Sequence, residues 1–339
     1  MPSPENVPEE SLLEDFPELL PLLLEDHAAG ANIFWATADY EHLGKGYEYA
    51  SPITPELITG KNIIMPRVRK ARGTQRGRSR SMAEVFTPAW ICNIQNNLID
   101  NFWFGSEEQD NPIGDASSEI IKIESTFNRG FEGGWEPSPG KIRFPEGKTW
   151  KDYVKDTRLE ITCGEAPYLV SRYDAATGEA IPPERRIGLL DRKLRVVSEN
   201  TEVSKEWLKW AREAYRHTYG YEWQGDNLLI ARENLLKTFA EHYREKFGKR
   251  PRRSSLQAVA KIISWNLWQM DGLKGVLPGS CREKPSEPDL FGVRTRQPCP
   301  GCVSGDNKQH NGTHCRLRDW KKRKSGPDAT LLYTELFPH

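Results

Sequence analysis

The pattern of apolar and polar positions contains one unit twice: a short apolar run, an acidic residue, a tight turn and a further apolar segment. In the first unit, residues 159–169, Glu160 ends the predicted strand. Gly164 allows a sharp turn, because glycine tolerates backbone conformations that other residues avoid. Pro167 then suits the first turn of a helix, where its missing N–H is not needed.

The second unit, residues 219–236, ends its strand at Glu222 and continues into a helix that Asp226 can cap. Spacings of three and four residues give this helix one apolar face, made of Leu228, Ala231, Leu235, Phe239, Tyr243 and Phe247. Successive units of strand, acid, turn and helix are how an open α/β sheet presents a nucleotide-like ligand at the carboxyl ends of its strands. The chain is therefore expected to contain such a sheet.

Further periodic segments extend this pattern. A helix capped by Ser204 has an apolar stripe that core packing explains better than ligand binding; the stripe is Trp207, Trp210, Ala211, Ala214 and Tyr215. A later helix is expected to begin after Ser254 and Ser255 and to use Leu256, Val259, Ala260 and Ile263. Residues 266–273 then predict a third strand with its own acid, Asp271.

The N-terminal third is expected to be mostly irregular. Residues 1–30 predict an amphipathic helix on a loose terminus, with a partner-binding helix as the alternative. Residues 105–150 are rich in turn-forming residues and predict a long loop. Between these segments, Thr87 is expected to cap a helix with Pro88 in its first position, and one face made of Ile91, Ile94 and Leu98.

Composition narrows the classes of function. A chain of 339 residues with 37% hydrophobic and 28% charged residues fits one large or two small domains. The formal net charge is zero, so affinity for nucleic acid must come from a local patch. No apolar run approaches the roughly 20 residues of a membrane span. The N-terminus lacks a basic and apolar signal region, which predicts a cytoplasmic protein with no membrane partner.

Residues 61–80 are the strongest local patch of positive charge, because they contain many basic residues and no acid. The basic residues are Lys61, Arg67, Arg69, Lys70, Arg72, Arg76, Arg78 and Arg80. Arginine and lysine neutralise phosphates and release counterions, so the segment predicts contact with double-stranded DNA. A solvated basic loop is the alternative.

The C-terminal segment predicts a metal site. Cysteines separated by two residues, as in Cys299-Pro-Gly-Cys302, can bind one metal from a tight turn. Cys315 with either His310 or His314 is expected to complete a tetrahedral zinc site, and Cys281 is a spare candidate. A pair of reduced cysteines on a loop is the alternative.

The two central units resemble motifs of AdoMet-dependent adenine-N6 DNA methyltransferases, especially the modification subunits (subunit M) of restriction-modification systems. The resemblance rests on Glu160, Gly164 and Glu222 and extends over most of residues 30–320. Glu165, Ala166 and Pro167 stand where the family has Gly-Ser-Gly. The implied fold is a Rossmann-like α/β methyltransferase sheet, complete or truncated, with an irregular N-terminal region and a small C-terminal zinc knuckle.

The resemblance also implies an AdoMet site. Glu222 would accept the ribose hydroxyls, Asp271 would approach the adenine, and the aromatic ring before Thr87-Pro88 would pack near the cofactor. The implied cofactor-binding residues are Phe86, Thr87, Pro88, Glu160, Thr162, Cys163, Gly164, Glu222, Trp223 and Asp271. The expected domains are residues 1–80, a methyltransferase-like domain 81–280, a zinc-binding segment 281–325 and a C-terminal strand or tail 326–339.

One family motif is missing. Adenine-N6 methyltransferases hold the flipped base with Asp or Asn, Pro-Pro and an aromatic residue. The one Pro-Pro here, Pro182-Pro183, precedes the second unit, so no catalytic residue is assigned. The expected function is a modification subunit of a restriction-modification or phage-defence system that methylates adenine in DNA, alone or with a specificity, restriction or catalytic partner subunit. The alternative is a non-catalytic DNA-binding subunit with the AdoMet-type fold.

Overall fold

The computed structural model describes residue 16 and residues 18–70, 87–105, 123–285, 296–322 and 329–336. Its α-helices are α1 (Leu19–Leu24), α2 (Pro55–Ile58), α3 (Ala89–Phe104), α4 (Trp150–Lys155), α5 (Leu189–Asn200), α6 (Ser204–Arg216), α7 (Gly225–Phe247), α8 (Arg253–Asn266) and α9 (Pro300–Ser304). Its strands are β1 (Glu25–Asp26), β2 (Ala31–Asn32), β3 (Ile123–Glu124), β4 (Asn128–Phe131), β5 (Gly134–Pro137), β6 (Arg158–Glu160), β7 (Thr218–Glu222), β8 (Leu267–Gln269), β9 (Lys284–Pro285), β10 (Arg296–Gln297), β11 (Arg316–Arg318) and β12 (Thr330–Leu332). These elements make a mixed α/β protein with small sheets.

The central sheet consists of β6, β7 and β8, side by side in that order and all parallel. Helices α5 and α6 connect β6 to β7, and α7 and α8 connect β7 to β8, because parallel neighbours require a crossover. The strands predicted at Glu160 and Glu222 are confirmed, and the third ends at Gln269, shortly before Asp271. Within the described residues the sheet has no fourth strand, and its assignment to the Rossmann type stays a prediction.

The core surrounds α7, whose predicted apolar face is confirmed. Leu228, Ala231 and Phe239 have no exposed surface, and Trp207 of α6 packs against Phe239 with ring centroids 5.6 Å apart. The predicted stripe of α6 is therefore core, and so is that of α8, where Ile263 is buried. Burying one such side chain contributes about 1.5–3 kcal/mol, so these helices supply much of the driving force for folding.

Several local predictions of helix starts are wrong, and α8 begins at Arg253 rather than after Ser254 and Ser255. Asp226 does not cap α7 but lies in its first turn. Ser204 does not cap α6, since its hydroxyl bonds to the Tyr243 hydroxyl at 2.8 Å. Pro167 does not begin a helix, because residues 161–170 form turns. Asp226 and Ser204 hydrogen-bond to side chains that are distant in the sequence, and local spacing does not reveal such partners.

The start of the chain is more ordered than the predicted loose terminus. All four leucines at the ends of α1 (Leu19, Leu20, Leu23 and Leu24) are completely buried, and α1 packs against α8. Arg232 of α7 donates to the carbonyl oxygens of Leu23 and Glu25. The prediction of a loose terminus is therefore wrong from residue 18 onward, and residues 1–15 lie outside the described part of the chain.

The buried face of α3 is mostly polar, so the predicted apolar face is wrong at Leu98, although Ile94 is buried. Leu98 is 45% exposed, whereas Asn93, Asn97 and Asp100 point inward. The guanidinium of Arg192 donates to Asp100 at 2.5 Å and to both asparagine oxygens at 2.8 Å. A buried network of this kind is stable because each partner satisfies the others.

The predicted loop 105–150 contains a small antiparallel sheet, β3–β4–β5. Glu132-Gly133 joins β4 to β5, and Gly133 has φ 80°, a left-handed conformation that glycine adopts without steric cost. Asn128 of β4 accepts amide hydrogens from Asn93 and Asn97 at 2.8 and 3.0 Å. The sheet is thereby fixed to the polar face of α3.

Candidate functional site

Two buried glutamates mark the carboxyl ends of β6 and β7. Glu160 accepts the N–H groups of Leu169 and Tyr168 at 3.1 and 3.4 Å. Glu222 accepts those of Gly164 and Gln224 at 2.7 and 3.2 Å. Burial raises the pKa of Glu160 to about 8, with the nearby Glu222 adding to the effect, and burial also raises the pKa of Glu222. Each acid therefore holds the backbone of a turn at this edge.

The turn that follows β6 has an unusual backbone. Thr162 and Ala166 have φ angles of 45° and 64°, a left-handed region that residues with a side chain rarely occupy, and Gly164 has φ 54°. The N–H of Cys163 donates to the Tyr221 carbonyl at 2.8 Å and fixes the turn to β7. Thr162 is exposed and Gly164 is partly exposed. Backbone strain of this kind concentrates at binding and catalytic sites.

Glu165 occupies a position where the resemblance would place a small residue, but its side chain turns into the protein. Its carboxylate accepts the Tyr173 hydroxyl at 2.5 Å and the backbone N–H of Arg67 at 2.6 Å. Glu165, which replaces a small residue of Gly-Ser-Gly, therefore points its side chain into the protein interior. It also attaches the basic segment to the turn that contains Gly164.

A second attachment holds the basic segment at the same edge. Lys70 donates to Asp226 at 3.0 Å, and the Tyr40 hydroxyl donates to the same oxygen at 2.7 Å. All three groups are buried, and Asp226 lies in the turn of α7 that follows β7. Of the predicted DNA contacts, Arg67 is partly exposed and Arg69 is exposed; Arg72, Arg76, Arg78 and Arg80 lie outside the described residues.

The predicted Thr87-Pro88 motif lies beside the turn after β6. Pro88 precedes α3 as its N-cap, one residue later than expected. Tyr168, in that turn, donates through its hydroxyl to Gln95 of α3 at 2.5 Å, and its carbonyl accepts from the Asn96 side chain at 3.0 Å. Phe86 lies outside the described residues. The segment that starts with Thr87-Pro88 therefore contacts the turn after β6, the motif that follows it in the sequence.

Two of the remaining predicted cofactor residues, Asp271 and Trp223, already bond to neighbouring groups of the protein. Asp271 accepts the Leu273 N–H at 3.1 Å and pairs with Lys274 at 3.4 Å. The carbonyl of Trp223 accepts from the side chain of Gln269 at 2.8 Å, and that amide also donates to the Phe34 carbonyl. The segment around Phe34 therefore lies across the edge of the sheet between β7 and β8. The partly exposed turn between β6 and β7 is the accessible part of the predicted site.

A separate cluster of four residues could bind a metal ion such as zinc. The ligand atoms of Cys281, Cys299, Cys302 and His310 lie within 4.8 Å of one another. The Nδ1 atom of His310 is 3.5, 3.5 and 3.6 Å from the three sulfurs. Tetrahedral zinc with ordinary bond lengths would separate nitrogen from sulfur by about 3.5 Å, so the donor set fits that ion.

Backbone groups near the cluster support the positions of its ligands. The backbone N–H of Asn311 donates to Cys299 at 3.2 Å. Burial opposes ionisation of Cys299, but this N–H and the neighbouring thiols and imidazole outweigh it and lower its pKa to about 6. A side chain at Gly301 would collide with His310, 2.5 Å away. Glycine at this position therefore lets the imidazole approach the cysteines.

Two predicted metal ligands are wrong. Cys315 is completely buried and its thiol donates to the Gln269 carbonyl at 3.3 Å, so it belongs to the packing beside β8. His314 bonds through Nε2 to the His310 carbonyl at 2.9 Å. Cys281 takes the place of Cys315. Cys281 lies far from Cys299 along the chain, so sequence spacing does not indicate that it is a ligand. The turn-forming Pro278-Gly279 just before Cys281 is the sequence signal that favours this role.

No protein-family model matches the chain, and comparisons with curated proteins and with solved structures found no match. Among the helices that the structure describes, none has the length and apolar character needed to cross a membrane.

Proposed function

We propose that this chain is the cofactor-binding part of an adenine-N6 DNA methyltransferase of a restriction-modification or phage-defence system. The supporting observation is the convergence on one sheet edge of three separate parts of the sequence. These are the strained turn after Glu160, the acid Glu222 and the attachments of the basic segment at Arg67 and Lys70. A ligand site and a phosphate-binding segment on one edge suit an enzyme that brings AdoMet to DNA.

AdoMet would supply the methyl group, and the chain's own residues would bind and orient the cofactor. An ionised carboxylate has about four acceptor positions, and the bonds from Gly164 and Gln224 leave Glu222 able to accept ribose hydroxyls. Glu160 would keep the turn in its strained form through Tyr168 and Leu169. The base-holding loop would come from a partner chain.

Calorimetry with AdoMet tests the cofactor site. Glu222→Ala removes a charged hydrogen-bond acceptor and is expected to weaken binding by about tenfold or more, from roughly 1.5–3 kcal/mol lost. Glu184→Ala, at an exposed position outside this edge, is the matched control and should bind as the wild type does. If the intact protein binds no AdoMet, the proposal fails.

We also propose that zinc is the metal of the C-terminal cluster. Four protein ligands leave no open coordination position, which favours a structural role over a catalytic one. Structural zinc couples binding to local folding, so it would hold Cys281 against the segment from Cys299 to His310.

The second candidate is a non-catalytic DNA-binding subunit, favoured by the missing Pro-Pro-aromatic motif. Incubation with labelled AdoMet and mixed-sequence DNA, with and without the product of a neighbouring gene, separates the two. Label on adenine under either condition supports the methyltransferase. Label under neither condition, with AdoMet binding intact, favours the binding subunit.

A further inference from the structure

A groove of about 870 Å³ lies between the start of α6 and the connection from α7 to α8. Basic side chains dominate its lining: Lys205, Lys209, Arg212, Lys249, Arg250 and Arg252. Glu206 is the one acid among the described lining residues. The chain as a whole has zero formal charge, so this groove concentrates positive charge that the rest of the surface balances.

The two walls of the groove follow from the local sequence. Lys205, Lys209 and Arg212 recur at spacings of four and three, so they share the face of α6 opposite the buried Trp207. On the other wall, Gly248 with φ 66° ends α7, and a short basic connection leads into α8. The first wall is a well-packed helix and the second is a short connection held between two such helices, which keeps the cations together despite their mutual repulsion.

Two helix N-termini border the same groove. α6 begins at Ser204 and α8 at Arg253, and neither helix has a capping side chain. The N-terminus of a helix has a partial positive charge and unpaired N–H groups, both of which favour phosphate. Ser254 and Ser255, in the first turn of α8, line the groove as well. The positive ends of two helices and a row of cations therefore border the same groove.

The nearby carboxylates leave most of this charge uncompensated. Glu202 pairs with Lys246 at 3.7 Å, and Glu18 is taken by Arg253. No carboxylate in the described part of the chain forms a salt bridge with Lys205, Lys209, Lys249 or Arg252. The cations of α6 span about 10 Å along the helix axis, at 1.5 Å per residue. One small anion cannot contact them all, whereas a row of phosphates can.

We propose that this groove binds the sugar–phosphate backbone of double-stranded DNA. The site is separate from the sheet edge, because α6 and α8 run for about 20 Å from the groove to the starts of β7 and β8. Contact with the backbone rather than with the bases is favoured because lysines and helix N-termini suit phosphates, and because no asparagine or glutamine is among the described lining residues. DNA held here would be retained while another part of the same molecule reaches the sheet edge. Binding at the groove does not depend on AdoMet binding.

Fluorescence anisotropy with a mixed-sequence duplex at several salt concentrations tests the groove. The groove variant combines Lys205→Ala, Lys209→Ala, Lys249→Ala and Arg252→Ala. The matched control removes the same charge from exposed positions elsewhere, with Lys45→Ala, Lys141→Ala, Arg143→Ala and Lys261→Ala. All eight side chains are exposed, so both variants should fold, and thermal melting checks this.

The groove variant should bind at least about tenfold more weakly, and its slope of log K against log salt should fall by up to about 3.6, or 0.9 per lost phosphate contact. The control should bind as the wild type does. Equal losses in both variants would overturn the proposal, as would displacement of the duplex by polyglutamate of matched charge as readily as by unlabelled DNA. AdoMet binding that stays normal in the groove variant separates this result from the cofactor proposal.

Discussion

The thiols of Cys281 and Cys315 have the same intrinsic chemistry and different surroundings. Cys281 lies partly exposed beside His310, with 3.5 Å between Sγ and Nδ1. Cys315 is packed beside β8, and burial raises its pKa well above the usual range. The pKa of Cys281 is raised as well, to about 11, chiefly by burial, so Cys281 is distinguished by its position beside Cys299, Cys302 and His310 rather than by easier ionisation.

Replacing each thiol in turn tests this assignment. Cys281→Ser should lower the zinc content of freshly purified protein well below about one equivalent, because one of four ligands is lost. Cys315→Ser should retain zinc. Elemental analysis by mass spectrometry measures both. The opposite pattern, with zinc lost only from the Cys315 variant, would restore the ligand set predicted from sequence spacing.

Ionisation of Glu160 makes the free energy of unfolding depend on pH. Its pKa is about 8 in the folded state and is ordinarily near 4.5, so the folded state holds its proton more tightly. The stabilisation is complete below about pH 4.5 and is lost as the pH rises through about 8. Glu160→Gln cannot ionise, so its melting temperature relative to the wild type should rise across this window. A constant difference between pH 5 and about 8.5 would contradict the raised pKa.

At the scale of elements, sequence periodicity located the helices whose buried face is apolar. α6, α7 and α8 were predictable because their apolar residues recur every three or four positions. The predicted face of α3 is wrong at Leu98 because most of its inward side chains are polar, among them Asn93, Asn97 and Asp100. Their partner, Arg192, is 92 positions away from Asp100 in the chain. No local pattern contains that information.

The candidate site also contains features that the sequence predicts and features that it does not. The acids at the ends of β6 and β7 were predictable, because an apolar run followed by an acid and a glycine is a local signal. The inward turn of Glu165 and the pairing of Lys70 with Asp226 were not, since each joins residues far apart in the sequence. Long-range polar pairs become visible only when the fold places the elements together.

At the scale of the whole molecule, one arginine connects the start of the chain to the central sheet. Arg232 of α7 is fully buried, and its guanidinium donates to the carbonyls of Leu23, Glu25, Ser264 and Leu267. Every nitrogen of the side chain is used. The charge is further offset by Asp26, although burial lowers the pKa of Arg232 to about 10.

Arg232→Met should therefore destabilise the protein by roughly 3–5 kcal/mol, because several buried carbonyls lose their donors. Arg244→Met removes an exposed arginine from the same helix and should change stability by less than about 0.5 kcal/mol. Urea denaturation followed by circular dichroism measures both. Equal effects of the two substitutions would show that Arg232 does not connect these elements.

The contacts of Arg232 also predict how the sequence can change during evolution. All the acceptors are main-chain oxygens, which every amino acid supplies. The residues at positions 23, 25, 264 and 267 can therefore vary as far as packing allows, while lysine cannot replace the arginine, because its three donors cannot reach four carbonyls in this planar arrangement. Among descendants of this chain, we expect an invariant arginine whose partners carry no visible sequence signature.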